Sequence, residues 1–166
     1  MAAYTAPLVC QRRPVSLLVL VNAMIPAPGE TAGDWWANTG QDRARRENDE
    51  RAGRPADADF DPYVHFLHDL PPDVLAESEH HQRGVSGTPF GQPWPLDAWP
   101  DVPTRVLIGR DDRFFPVEFQ HRVARERLGI TPDVLPGGHL IALSHPDELT
   151  DQLEAYRAET VTRPNP

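Results

Sequence analysis

At 166 residues with a net charge of -9, the chain is one domain in size, and its acidity argues against nucleic acid or an anionic membrane as the main partner. No apolar run reaches the ~18 residues of a membrane span, and no charged, apolar and cleavage regions follow one another at the N-terminus, so neither a span nor a signal peptide is expected. A single cysteine, Cys10, leaves no internal disulfide and suits a reducing, cytoplasmic setting.

Taken in order, Thr5 to Arg12 reads as the last turns of a helix that ends before Pro14. Val15 to Val21 is a near-continuous apolar run, the mark of an interior strand of a parallel sheet, with Ser16 inside it. It runs out at Asn22-Ala23-Met24-Ile25-Pro26. Trp35 and Trp36 follow in a polar context, either as a wall of an apolar substrate pocket or as anchors of a loop against the core. Gln41 to Ala58 is charged and reads as a solvated helix with Glu/Arg pairing or as a mobile loop. Asp61 to Leu70 is aromatic, with Phe66 at its centre, and Pro71-Pro72-Asp73 opens a helix that places Val74, Leu75 and His81 on one face. His80-His81 reads as a solvated end of that helix. His65 and His68 have a spacing that ligates metal on a helix, but no third ligand stands at a telling distance, so no metal is expected.

Gly84-Val85-Ser86-Gly87-Thr88 misses a nucleophile motif by one position and lacks a preceding strand, so it reads as a linker. Phe90 to Trp99 has no period and reads as a loop. Thr104 to Ile108 has the content of a short buried strand that stops at Gly109-Arg110-Asp111-Asp112-Arg113-Phe114-Phe115-Pro116. Val117 to Leu128 has helical apolar spacing, and Gly129 ends it. Pro132 to Leu135 is a second short strand, stopping at Gly137-Gly138-His139. Leu140 to Ser144 and a helix opened by Pro146 follow, with apolar spacing through Leu149, Leu153 and Tyr156. Beyond Tyr156 the spacing stops, so Arg157 to Pro166 reads as a frayed tail. Two neighbouring parallel strands would bring the acidic pair and His139 together at one sheet edge, where open α/β sheets display functional side chains. An acid beside an imidazole there is the geometry of a carboxylate that orients a base.

These residues carry a resemblance. The pattern G-x-x-D-x-x-x-P at Gly109, Asp112 and Pro116, together with Gly137-Gly138-His139, resembles the C-terminal half of an alpha/beta hydrolase. The likeness runs from about Thr5 to Tyr156. It implies that Asp112, in preference to Asp111, is the triad acid and that His139 is the triad base. It also makes Asp61 to Glu77 part of a lid. The fold class expected is α/β: an incomplete alpha/beta-hydrolase sheet of about three parallel strands with flanking helices, in one partial domain over 1–166 with a lid insertion at about 41–95. The family's G-x-S-x-G nucleophile elbow does not occur in the sequence. The expectation is therefore an esterase-like acid and base without the serine, the elbow-bearing half lying outside this sequence. Trp35, Trp36, Phe66 and Phe114 are the expected substrate-binding residues for a small apolar molecule. No cofactor is expected. Partners are limited to that small molecule, a nucleophile-bearing half, or a second copy through an open sheet edge; the alternative role is an inactive fragment or complementing subunit.

Overall fold

A computed structural model describes residues 1–81, 83–84 and 86–162, apart from the side chains at 79, 161 and 162. Helix α1 (Ala2–Cys10) precedes strand β1 (Leu18–Val21). Four helices follow before the next strand: α2 (Ala32–Thr39), α3 (Gln41–Arg51), α4 (Pro62–His65) and α5 (Pro72–His80). A 3-10 turn at Thr88–Gly91 leads towards β2 (Thr104–Gly109). Helix α6 (Val117–Leu128), strand β3 (Asp133–Leu135), the short α7 (Ile141–Ser144) and the long α8 (Pro146–Thr162) complete the order.

The three strands form one parallel sheet in the order β1-β2-β3, with Leu20 opposite Val106 and Ile108 opposite Val134. Strand alternation divides the apolar residues between two layers. Leu18, Leu20, Val106 and Ile108 face a large core with Trp35 of α2 and Phe119, Val123 and Ala124 of α6. Leu107 faces the other way, against Ile141 and Tyr156, with Val19 and Val21 packed alongside. Leu107 and Ile108 are fully enclosed, each contributing about 1.5–3 kcal/mol by burial. Helix α6 closes at Gly129, whose φ of 67° is the left-handed conformation that glycine adopts without a Cβ penalty.

Several elements depart from the sequence reading. β1 starts at Leu18, so Ser16 is exposed and lies outside the strand. Among the described residues β1 is bonded on one side only and is an edge of the sheet. Helix α3 is not solvated all round: Gln41, Arg45 and Asp49, four apart, form a buried face. Helix α8 runs past Tyr156 to Thr162 without apolar spacing, carrying an exposed Arg105–Glu159 ion pair at 2.6 Å and an exposed Arg157–Glu154 pair at 2.8 Å; residues 163–166 of the expected tail lie outside the described residues. In the linker, Val85 also lies outside them, and Ser86 is exposed, its hydroxyl donating to Thr88 Oγ1 at 3.0 Å. His81 is exposed and meets Glu77 at 2.8 Å, while Val74 and Leu75 are half-buried.

The long connection between β1 and β2 is closed on itself and tied to α6. Trp94 is buried, its amide donates to the Glu30 carbonyl at 2.9 Å, and Gly29 returns a bond to the Trp94 carbonyl at 3.1 Å. Glu30 itself is pinned by Arg127 of α6.

Candidate active site

The loops after β2 and β3 meet because the sequence leaves no side chain between them. A Cβ on Gly109 would stand 2.5 Å from the carbonyl oxygens of both Gly137 and Gly138. The loops are then laced together: Arg110 N–H donates to Leu135 O at 2.9 Å and Asp111 N–H to Gly137 O at 3.0 Å. Gly137 has a φ of 105°, which a residue with a side chain adopts only under strain. Gly138 N–H donates to Asp69 Oδ2 at 2.6 Å, joining this junction to the segment after α4.

Across the junction, His139 Nδ1 lies 2.8 Å from Asp112 Oδ2. The Asp112 side chain is wholly enclosed, that of His139 15% exposed. Asp112 Oδ1 accepts from the backbone N–H groups of Phe114 and Phe115 at 2.9 and 2.8 Å, and Oδ2 also accepts from Gln120 Nε2 at 3.3 Å. The turn into α6 thus presents neutral donors to a buried carboxylate, which satisfies it without cancelling its charge. Asp111 is half-exposed and turns the other way, to Arg110 and the Gly137 N–H. Burial works to raise the Asp111 carboxyl, but the Arg110 guanidinium and the Gly137 N–H outweigh it and hold it below the ordinary value.

The imidazole of His139 sits among aromatic rings. Phe66 stacks on it at 4.6 Å and 23° between planes, while Phe114 and Phe115 meet it edge-on at 5.4 and 5.0 Å. These rings, with Trp36, Phe60 and Met24, line a cavity of about 370 Å³ that also touches Asn22 at the end of β1. Nε2 of His139 has no hydrogen-bond partner among the described residues. No lining residue carries a hydroxyl or thiol. A space of this kind suits a small apolar guest presented to one imidazole nitrogen.

Of the four residues expected to bind substrate, Trp36, Phe66 and Phe114 line the cavity. Trp35 does not: it is completely buried, donates Nε1–H to Ile25 O at 3.0 Å, and packs on Phe115 and Phe119. Its place one residue before Trp36 on α2 turns it into the core. Sequence reasoning also missed Phe60, Phe115 and Gln120. Phe115 was within reach, since the turn after a strand-end Asp supplies its donors.

The other residues weighed for chemistry do not line the cavity. Ser78 donates to Leu75 O within its own helix at 2.8 Å, and Ser144 Oγ lies 3.0 Å from His145 Nδ1 and 3.5 Å from Leu140 O. His65 is buried, with Nε2 3.2 Å from Asp49 Oδ2 and Nδ1 2.9 Å from Asp61 O. His68, its charged form disfavoured by burial and then by Arg113, leaves Nε2 buried without a partner. Among the described residues, no three His, Cys, Asp or Glu side chains are grouped to hold a metal, and no helix is long and apolar enough to cross a membrane.

Comparison with known proteins gives a consistent picture. Residues 1–152 match the model of the alpha/beta hydrolase family. A search of curated proteins gave no match. Among solved structures, the chain is similar to polyneuridine aldehyde esterase, with a TM-score of 0.67 at 16% identity over 93% of this chain and 68% of that one. It is also similar to a pyrethroid hydrolase from Sphingobium faniae JZ-2, with a TM-score of 0.64 at 21% identity over 93% of this chain and 66% of that one. The chain thus spans about two thirds of the length of these structures.

Proposed function

The chain belongs to the alpha/beta hydrolase family, and from that premise we propose that it supplies the acid and the base for cleavage of an ester- or amide-type bond in a small apolar molecule. The observation that carries the reading is the Asp112–His139 contact at the wall of an aromatic cavity. In this reading Asp112 accepts the Nδ1 proton of His139 and fixes the tautomer, so that Nε2 is the basic nitrogen on the cavity side. Nε2 takes the proton of an attacking hydroxyl and returns it to the leaving group. The aromatic walls hold the guest and exclude water from the imidazole. The segment from 41 to 95, which brings Phe66 onto His139 and Phe60 to the wall of the same cavity, serves as the lid of the single domain. The attacking hydroxyl is not among the residues lining the cavity, and in this reading it comes from outside these 166 residues. The polyneuridine aldehyde esterase and pyrethroid hydrolase likenesses support the reading at the level of fold.

The test is hydrolysis of a short-chain aryl ester by the purified chain, alone and mixed with a separately produced hydrolase segment bearing G-x-S-x-G. No turnover alone, and turnover in the mixture that His139→Ala abolishes, is the expected result. Turnover by the chain alone that His139→Ala abolishes would overturn the need for an outside hydroxyl.

A second reading is favoured by the open edge of β1. Its outer side has no strand partner among the described residues, and Val19 and Val21 are only half-buried. An open apolar edge invites another strand, so the chain would act as a binding or complementing subunit. Size-exclusion chromatography separates the two readings, because a clean monomer at high concentration argues against the second.

A further inference from the structure

Asn22 stands at the exit of β1 and is the one non-glycine with positive φ, 43°, among the described residues. It is buried. Its side chain reaches both of the other strand exits. Nδ2 donates to Gly138 O at 3.0 Å and to His139 O at 2.9 Å, while Oδ1 accepts from Gly109 N–H at 2.8 Å. Its own N–H continues the sheet to Leu107 O at 3.0 Å. The amide orientation is fixed by chemistry, since a flip would set NH₂ against an N–H and an oxygen against two carbonyls.

Asparagine answers this position in three ways. It tolerates left-handed backbone better than other residues with a side chain. It offers two donors and one acceptor on a short stem. It carries no charge to bury beside two carbonyl oxygens. The Gly137-Gly138-His139 loop has two other side-chain anchors, Asp111 and Asp69, but both take hold of N–H groups, at residues 137 and 138. Asn22 alone of the three reaches the backbone of His139, and it also holds Gly109, three residues before Asp112.

We propose that Asn22 is a positioning residue that keeps the His139 imidazole against Asp112 by clamping the carbonyls of residues 138 and 139 to the N–H of Gly109. It acts through the backbone and transfers no proton. The inference rests on the reading of Asp112 and His139 as an acid–imidazole couple. It adds a third strand end to that couple and makes the alignment of the ring depend on a residue more than a hundred positions away in sequence.

The experiment uses the whole chain with ¹⁵N-labelled histidine and follows the His139 Nδ1 proton by NMR, assigned by its disappearance in His139→Gln. In the parent chain this proton, shared with Asp112, is expected far downfield and slow to exchange with water. Asn22→Gly keeps the backbone conformation accessible and removes the whole clamp. Asn22→Asp keeps the shape and the acceptor for Gly109 but removes both donors. Both variants are expected to lose the signal to rapid exchange while the backbone amide spectrum stays folded. Val123→Ala, which weakens the core away from the junction, is expected to retain it. Should Asn22→Gly not fold, Asn22→Asp decides. Survival of the signal in the folded Asn22 variants overturns the inference alone. Its absence from the parent chain, or its survival in Asp112→Asn, overturns the acid–imidazole reading beneath it.

Discussion

Among the described residues two histidines meet a buried carboxylate, and the two contacts differ in their surroundings. His139 meets Asp112 at 2.8 Å, and His65 meets Asp49 at 3.2 Å. Asp49 is shared with two guanidiniums, Arg45 at 3.2 Å and Arg54 at 2.7 Å. Burial raises its carboxyl, but the Arg54 and His65 hydrogen bonds and their charges outweigh burial and hold it below the ordinary value. Both ring nitrogens of His65 are engaged. Asp112 is surrounded by uncharged donors, and His139 keeps one nitrogen unpartnered beside a cavity. A histidine beside a buried carboxylate is therefore not in itself a site. In the proposed reading, what separates a structural joint from a reactive couple is where the carboxylate's charge is spent and whether the second nitrogen has somewhere to act.

The sharpest way to break the comparison is to neutralise each carboxylate. Asp49→Asn strands Arg45, which is buried, and Arg54, and is expected to cost about 3–5 kcal/mol in urea unfolding. Gly109→Ala comes next, with an expected loss of about 2–3 kcal/mol, because the new methyl meets two backbone oxygens that cannot turn aside. A crystal structure of that variant should show the loop after β3 displaced and the 2.8 Å contact of His139 opened. Asp112→Asn orphans no cation and should cost less, about 1–2 kcal/mol, mainly from opposing its NH₂ to Gln120 and His139. A cost equal to that of Asp49→Asn would erase the distinction.

The smallest effect is a pH dependence. Asp49 and Glu30 are both held below their ordinary range; for Glu30, burial pushes upward and the hydrogen bonds from Arg127 and Asn38 prevail. A depressed carboxyl stabilises the fold above its unfolded value and loses that contribution as pH falls through its folded value. Stability should therefore decline as pH falls below about 4, and Asp49→Asn should flatten the decline. Thermal unfolding between pH 6 and pH 3 measures it.

The meeting of Asp112 with His139 follows from local signals. Apolar strand cores, a Gly at each strand exit and an acid or imidazole just beyond it all lie within a few residues of one another. The glycine in G-x-x-D carries more meaning in the fold than in the sequence, because only the fold shows two carbonyls where its side chain would be. Helix α3 was opaque for the opposite reason. Gln41, Arg45 and Asp49 are polar, so their shared spacing reads as a wet face, and the partners that justify burying them, Arg54 and His65, come later in the chain. Trp35 and Trp36 could not be told apart from composition, since a turn of 100° per residue decides which enters the core. Asn22 was visible only as a loop residue, because its φ and its three long-range bonds are properties of the assembled sheet.

Phe66 lying flat on His139 has a consequence for admission. A guest that reaches the face of that heterocycle must first separate the stacked π-systems, which costs about 0.5–1.5 kcal/mol beyond the area uncovered. A planar arene slipping between them restores a stack on either side, whereas an alkyl group of equal volume restores neither. In the proposed reading this contact favours planar guests over alkyl groups of equal volume.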